Sequence, residues 1–309
     1  IAQYRLPALV VGLPACAAMS VAHGLLPPHP APTALVATFH ADLGRTLFYG
    51  MILSVPAIVL AGPVFARTLA GIEAKPLPGL AAVPKPEHEL PGTAISIVAA
   101  LLPAALLLFT SVAPLLLPRE SRESGLLKFC SDPDVVMVAA LLFATVALGL
   151  ARGRTLPAVM DTFSSAIGDV GSILLVIAGS GAFKEVLIKS GVSGQIGASL
   201  QGLAIDPLLL AWIVTATIRV CVGSATVAGL TAAGILGPVV EAGGVDPDLM
   251  VLSIGAGSLF CSHVNDSAFW MFKEYFNVSL AETLRSWTLM ESIVAVVGLA
   301  GVLLLARVI

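Results

Sequence analysis

Three short stretches of the 309-residue chain set polar, ionisable and conformationally special residues inside apolar surroundings. The first holds Ser20, His23, Pro27, Pro28, His29, Pro30, Pro32 and Thr33. Four prolines in six positions cannot continue a helix, since each removes a donor and restricts the residue before it. A helix that ends here leaves backbone groups free to bind a ligand. The imidazoles of His23 and His29 can hydrogen-bond a hydroxylated anion or carry a proton. The plainer possibility is a proline-rich surface turn with histidines in water.

The second stretch holds Arg219, Gly223, Ser224 and Thr226 near the middle of a long apolar run. Small residues there allow close helix packing. They equally suit a helix break whose amides and hydroxyls face an anion. An intramembrane arginine is expensive and meets either a substrate or an acidic partner; toward a carboxylate its guanidinium can act in bidentate fashion. The third stretch holds Ser262, His263, Asn265, Asp266 and Ser267, followed by Lys273 and Glu274. Asn265 offers donor and acceptor to hydroxyls, and His263 or Asp266 can take up and release a proton. A buried network that merely fixes helix ends would use the same residue types.

Other features carry less chemistry. Gly179-Ser180-Gly181 lacks the Gly-Lys-Ser/Thr ending of a phosphate-binding loop. Glu291, inside the last apolar run, is either a partner of another helix or a second proton site. Trp212, Trp270 and Trp287 fit interfacial or packing roles. The four cysteines show neither a CxxC nor a Cys/His cluster, so no metal and no cofactor is expected.

The elements that must position these residues are set by hydropathy. Apolar runs long enough to cross a bilayer fall at 6–25, 46–69, 93–118, 135–151, 207–240 (with a break) and 286–308. Two more, at 171–188 and 247–272, are interrupted and predict re-entrant or discontinuous segments, because irregular backbone at membrane depth survives only inside protein or beside water. The polar stretch 70–92 predicts a linker, and 119–134 a second charged loop. Lys and Arg bias favours 70–92 and 152–170 on the cytoplasmic side. The chain is 57% hydrophobic and 11% charged. A soluble domain carries about 25% charged residues, so a soluble enzyme is excluded. The net charge of −3 excludes a basic nucleic-acid-binding face.

Residues 42–47 and 279–284 each open a long apolar helix behind a capping residue, with a Ser/His pair upstream (Ser20 and His23; Ser262 and His263). This predicts two related halves: 1–69 as the end of a first repeat, 70–92 as linker, and 93–309 as a second repeat.

The stretches SVAHGLLPPHPAPTA (20–34), GSGAFKEVLIKSG (179–191), IRVCVGSATVAG (218–229) and SHVNDSAFWMFKEYFNVSLAETLRSWTLMES (262–292) resemble the gluconate permease family of bacterial sugar-acid transporters, over essentially the whole chain. The resemblance implies an all-α polytopic inner-membrane protein: an inverted-repeat transporter with re-entrant hairpins and discontinuous helices, surrounded by membrane lipid and paired as a homodimer. It implies proton-coupled uptake of gluconate or a related sugar acid, with D-serine or another small hydroxy or amino acid as the alternative within the family. Substrate-binding positions carried over by motif are Ser20, His23, Pro27, His29, Thr33, Ser224, Thr226, His263, Asn265 and Asp266. Arg219 and Gly223 join them from the residue reading, and His263 and Asp266 are the expected proton carriers. Ala31 and Ala268 stand where family members commonly carry Gly, which disfavours a left-handed turn at either. The resemblance also expects on the order of 130 further residues ahead of Ile1, enough to complete the first repeat. From other classes, an intramembrane serine hydrolase would use Ser224 or Ser258 with His263, against which stands the missing G-x-S-x-G elbow; a passive channel is the third possibility.

Overall fold

The computed structural model describes residues 7–74, 90–116, 125, 129–130, 132–191, 205–241 and 244–309. Among these residues the secondary structure is entirely helical. The helices are α1 (Ala8–Leu25), α2 (Pro30–Phe39), α3 (Leu43–Val59), α4 (Thr93–Leu116), α5 (Pro133–Ala144), α6 (Leu156–Lys189), α7 (Pro207–Val222), α8 (Ala225–Glu241), α9 (Pro247–Gly257), α10 (Ser267–Phe276), α11 (Leu280–Thr283) and α12 (Leu289–Leu305). Wider π turns extend α3 over Leu60–Val64, extend α5 over Thr145–Gly149, and join α11 to α12 over Leu284–Thr288.

Local sequence fixes most of the starts. Asp42, Asp132, Asp206, Asp246 and Asp266 each accept an amide from the first turn they precede. Pro30, Pro133, Pro207 and Pro247 occupy the first helical turn, where a missing N–H costs nothing. Ser279 and Glu282 form the reciprocal capping box that their spacing predicts.

Among the described residues, four stretches are long and apolar enough to cross a membrane: Ala8–Phe39, Leu43–Leu69, Asp134–Arg152 and Leu280–Leu305. Shorter apolar helices accompany them at Thr93–Phe109, Pro207–Val222, Ala225–Glu241 and Pro247–Gly257. The core forms around α9, in which every residue from Asp248 to Gly257 is buried. A short helix that is apolar on all faces can only sit among other helices, and α9 is enclosed by α1, α2, α3, α7, α8 and α12. Large apolar side chains such as Phe48, Val55, Leu101 and Leu142 point outward instead. In a chain whose solvent is lipid that face carries no penalty.

The crossing of α1 over α9 depends on glycine. A Cβ on Gly255 would overlap the carbonyl oxygen of Gly24, and one on Gly24 would press into Leu259. At one end of the bundle, the buried Asp248 accepts from the Asp42 amide at 2.7 Å and the Thr46 hydroxyl at 3.0 Å. Arg45 completes this clamp, with Nε 3.2 Å from Asp248 and Nη2 2.9 Å from Asp246. The start of α3 is thereby tied to the start of α9.

Residues 8–69 and 247–305 share one local pattern. In each, a helix stops, the chain turns, and a ten-residue helix follows (α2, α10). Each short helix closes on a left-handed residue, His40 or Asn277. A capped long helix comes next, behind Asp42 or Ser279. Ala31 and Ala268 lie in the first turns of α2 and α10, so neither position asks for a left-handed turn.

The expected interruption at 171–188 does not occur: α6 runs unbroken from Leu156 to Lys189. Gly179 and Gly181 weaken a helix by only about 1 kcal/mol each, and no proline lies between them to break it. The expected linker lies mostly outside the described residues (75–89), as does most of 119–131, so the charge-bias argument for orientation has no structural counterpart there.

Replacing Gly255 with Ala should lower stability by about 1–3 kcal/mol, the usual cost of overpacking, seen as a drop in the thermal midpoint in detergent. Gly71→Ala, with nothing within 4 Å of the new methyl, should leave the midpoint unchanged.

Candidate functional site

Three helix breaks meet at one place. Helix α1 ends at Leu25 and α2 starts behind His29; α7 ends at Gly223 and α8 starts behind Ser224; α9 ends at Gly257, and the loop 258–266 leads to α10 behind Asp266. Between them lies a cavity of about 760 Å³, within the usual range for small-molecule sites. Its wall includes Ser20, His23, His29, Arg219, Gly223, Ser224, Thr226, Asn265 and Asp266. It also includes Cys16, Ser267, Trp287 and Glu291.

The break between α7 and α8 follows from Gly223. Its φ of 83° is a left-handed value that glycine tolerates, and a Cβ there would collide with the backbone of Asn265. Asn265 in turn donates from Nδ2 to the Val220 carbonyl at 2.8 Å and the Cys221 carbonyl at 3.4 Å. It thereby satisfies carbonyls that the end of a helix leaves free, and its own side-chain oxygen remains as an acceptor. The Ser224 hydroxyl accepts from the Val227 amide at 3.3 Å, while Ala225 and Thr226, the first residues of α8, line the cavity.

Arg219, 3% exposed, joins the breaks. Its Nη1 donates to the Gly223 carbonyl, and its Nη2 lies 2.5 Å from Asp266 Oδ2. The Nε is buried without a hydrogen-bond partner among the described residues. Asp266 also accepts from the Ser262 hydroxyl at 2.5 Å and, through Oδ1, from the Ala268 amide at 2.9 Å. Ser262 is held by the last helical segment, accepting from Trp287 Nε1 at 2.7 Å while its carbonyl accepts from the Thr288 hydroxyl at 2.5 Å. Across the cavity, His23 Nδ1 and His29 Nε2 are 3.3 Å apart, and Ser20 donates to the buried Glu291.

Nine of the twelve residues picked out by sequence therefore share the cavity wall, and Pro27, Thr33 and His263 do not. Thr33 donates its hydroxyl to the His29 carbonyl at 2.9 Å and supports the first turn of α2. His263 is turned back to the Cys261 carbonyl, 2.9 Å from Nδ1. The open question over Arg219 resolves toward an acidic partner, Asp266. Ser20 was expected, but its partner Glu291 is 271 positions away. Only a carboxyl in an otherwise apolar helix signalled it. Trp287 and Cys16 carried no signal beyond being apolar.

Ser258 donates to the Gly255 carbonyl at 2.7 Å, and neither it nor Ser224 pairs with His263. The nucleophile–base contact that a serine hydrolase needs is thus absent among the described residues.

A membrane-embedded bundle whose helices break around a polar cavity is the architecture of a carrier, with the site at the junction of discontinuous helices. The chain belongs to the GntP permease family: a family model described as "GntP family permease" matches residues 1–309. It is 46% identical to a high-affinity gluconate transporter of Escherichia coli K12, over 100% of this chain and 70% of that protein. It is 43% identical to the Gnt-II system L-idonate transporter of the same organism, over 98% and 69%, and 39% identical to a gluconate permease of Bacillus subtilis 168, over 99% and 71%. It is therefore a transport protein rather than an enzyme, and a multi-pass protein of the bacterial inner membrane.

Breaking the ion pair from one side should be costly. Asp266→Ala leaves a buried guanidinium without its counter-charge, so unfolding in detergent should come about 3–5 kcal/mol earlier. The double variant Arg219→Met/Asp266→Ala removes both charges and should recover a substantial part of that loss.

Proposed function

We propose that the protein carries gluconate or a closely related sugar acid into the cell together with protons. The observation that supports this most directly is the wall of the 760 Å³ cavity, where the starts of α8 and α10 lie beside the Arg219 guanidinium. Helix starts favour an anion by about 0.3–1 kcal/mol each at exposed positions, and more when desolvated. Pro30 and Pro32 remove two amides from the start of α2, so the donors for a carboxylate come from α8 and α10. The substrate carboxylate sits by the amides of Ala225 and Thr226 and the free Nε of Arg219. Its hydroxyls meet the Asn265 side-chain oxygen, the hydroxyls of Ser224 and Thr226, and the facing imidazoles of His23 and His29. Similarity to transporters named for gluconate and L-idonate supports a polyhydroxy acid.

The shared pattern of residues 8–69 and 247–305 supports a pair of repeats, 1–69 ending the first and 93–309 forming the second, with 70–92 between them. Alternating access then comes from one part rocking against the other around the broken helices.

Full-length protein in proteoliposomes should accumulate labelled gluconate when the outside is more acidic, and should stop when the gradient is collapsed. L-idonate should compete and D-serine should not. Uptake indifferent to the gradient would remove the proton coupling, and competition by D-serine alone would reassign the substrate. Gly223→Ala should lose most of this uptake, since the left-handed turn costs alanine about 1–2 kcal/mol and the methyl displaces Asn265.

A further inference from the structure

We infer that Glu291, supported by Ser20, is the acid that carries the coupled proton. This rests on the proton-coupled sugar-acid reading above and adds a residue to it. Glu291 lies in the first turn of α12, is 2% exposed, and contributes to the cavity wall. Its hydrogen-bond partner among the described residues is the Ser20 hydroxyl of α1. No cation among them lies within ion-pair distance of it.

The other acid in the cavity is differently placed. Asp266 is committed to Arg219, to Ser262 and to the start of α10. Moving a proton on and off it would dismantle the junction of the breaks. His263, the other expected carrier, is turned away toward Cys261.

The surroundings of Glu291 give the coupling its direction. From α1 it faces Cys16, with His23 one turn beyond Ser20; from α7 it faces Arg219; from the start of α10 it faces Asp266; His29 borders the same cavity from α2. The ionisable groups of α3 and α9 are Arg45, Tyr49 and Asp248; they lie in the first two turns of those helices, where Arg45 and Asp248 form the clamp. Charge can therefore be counted. Arg219 and Asp266 cancel. An ionised Glu291 leaves the cavity with one net negative charge, which opposes an entering carboxylate. A protonated Glu291 leaves it neutral, and the helix starts then favour the anion. Proton and substrate bind together, one of each, and the loaded cavity has the same net charge as the empty, deprotonated one. Loading turns the carboxylate into a carboxylic acid with the proton taken from outside water. Unloading returns that proton to the cytoplasm after the anion leaves. Ser20 ties α1 to α12, so the step also bridges two of the packed helices.

Wild-type and Glu291→Gln full-length protein in proteoliposomes test this. The amide copies the protonated acid and cannot release it. Glu291→Gln should keep gluconate exchange at equal pH on both sides and lose gradient-driven accumulation. The wild-type KM for gluconate should rise by about tenfold per pH unit above the titration of the carrier, as one-to-one linkage requires, while the Gln variant should be flat. Retained gradient-driven accumulation in Glu291→Gln, or loss of exchange in a variant with normal size-exclusion and thermal profiles, overturns the assignment. Should the Gln variant not fold, Glu291→Asp and Ser20→Ala decide the matter. Each should shift the midpoint of the KM profile, and unchanged midpoints in both overturn the assignment. Wild-type protein that carries gluconate without any pH dependence would instead overturn the symport reading itself.

Discussion

A guanidinium buried in an apolar bundle must be paired, because an uncompensated charge there is among the most expensive errors a fold can contain. Arg219 meets that demand with two partners, the Gly223 carbonyl and the Asp266 carboxylate. Each partner imposes geometry. Gly223 can offer its carbonyl because α7 stops there in a left-handed turn. Asp266 can arrive because α9 stops at Gly257 and the chain folds back across the end of α7. Once there, Asp266 also starts α10, and Ser262 binds the loop to Trp287 and Thr288. One buried charge thus fixes where two helices end and where another begins.

Broken helices in such surroundings leave backbone groups that water would normally satisfy. Polar side chains replace the water. Asn265 takes two carbonyls of α7, Ser224 caps α8, and Thr33 takes the carbonyl of His29. Between these breaks the cavity wall carries hydroxyl, amide, imidazole, guanidinium and carboxyl side chains.

Two deeply buried carboxyls among the described residues illustrate how environment assigns roles. Asp248 has a backbone amide, a hydroxyl and Arg45 around it, and fastens α3 to α9. Glu291 has one hydroxyl partner and a face on the cavity. The first is committed to three partners; the second is the acid proposed to carry the proton.

Much of this could be read from the chain alone. The apolar runs, the caps at Asp42 and Ser279, the stop at Gly223 and the break after Leu25 are local properties, set by side-chain shape, missing amides and hydrogen bonds a few residues long. The three polar stretches were legible because ionisable and hydroxylated residues are costly in apolar surroundings unless they serve some purpose. Local sequence misjudged 171–188, where paired glycines looked like a break and proved compatible with a helix. It also could not separate Thr33 and His263 from their neighbours, because whether a side chain faces a cavity or its own loop depends on the path of the backbone over a few residues. Partners far apart in the chain were decided only by the tertiary structure: Arg219 with Asp266, 47 positions away, Ser20 with Glu291, 271 away, and Thr46 with Asp248, 202 away. Periodicity and capping report the energy of neighbours along the chain, whereas these contacts exist only after the helices have packed and the cost of each buried charge has selected its partner.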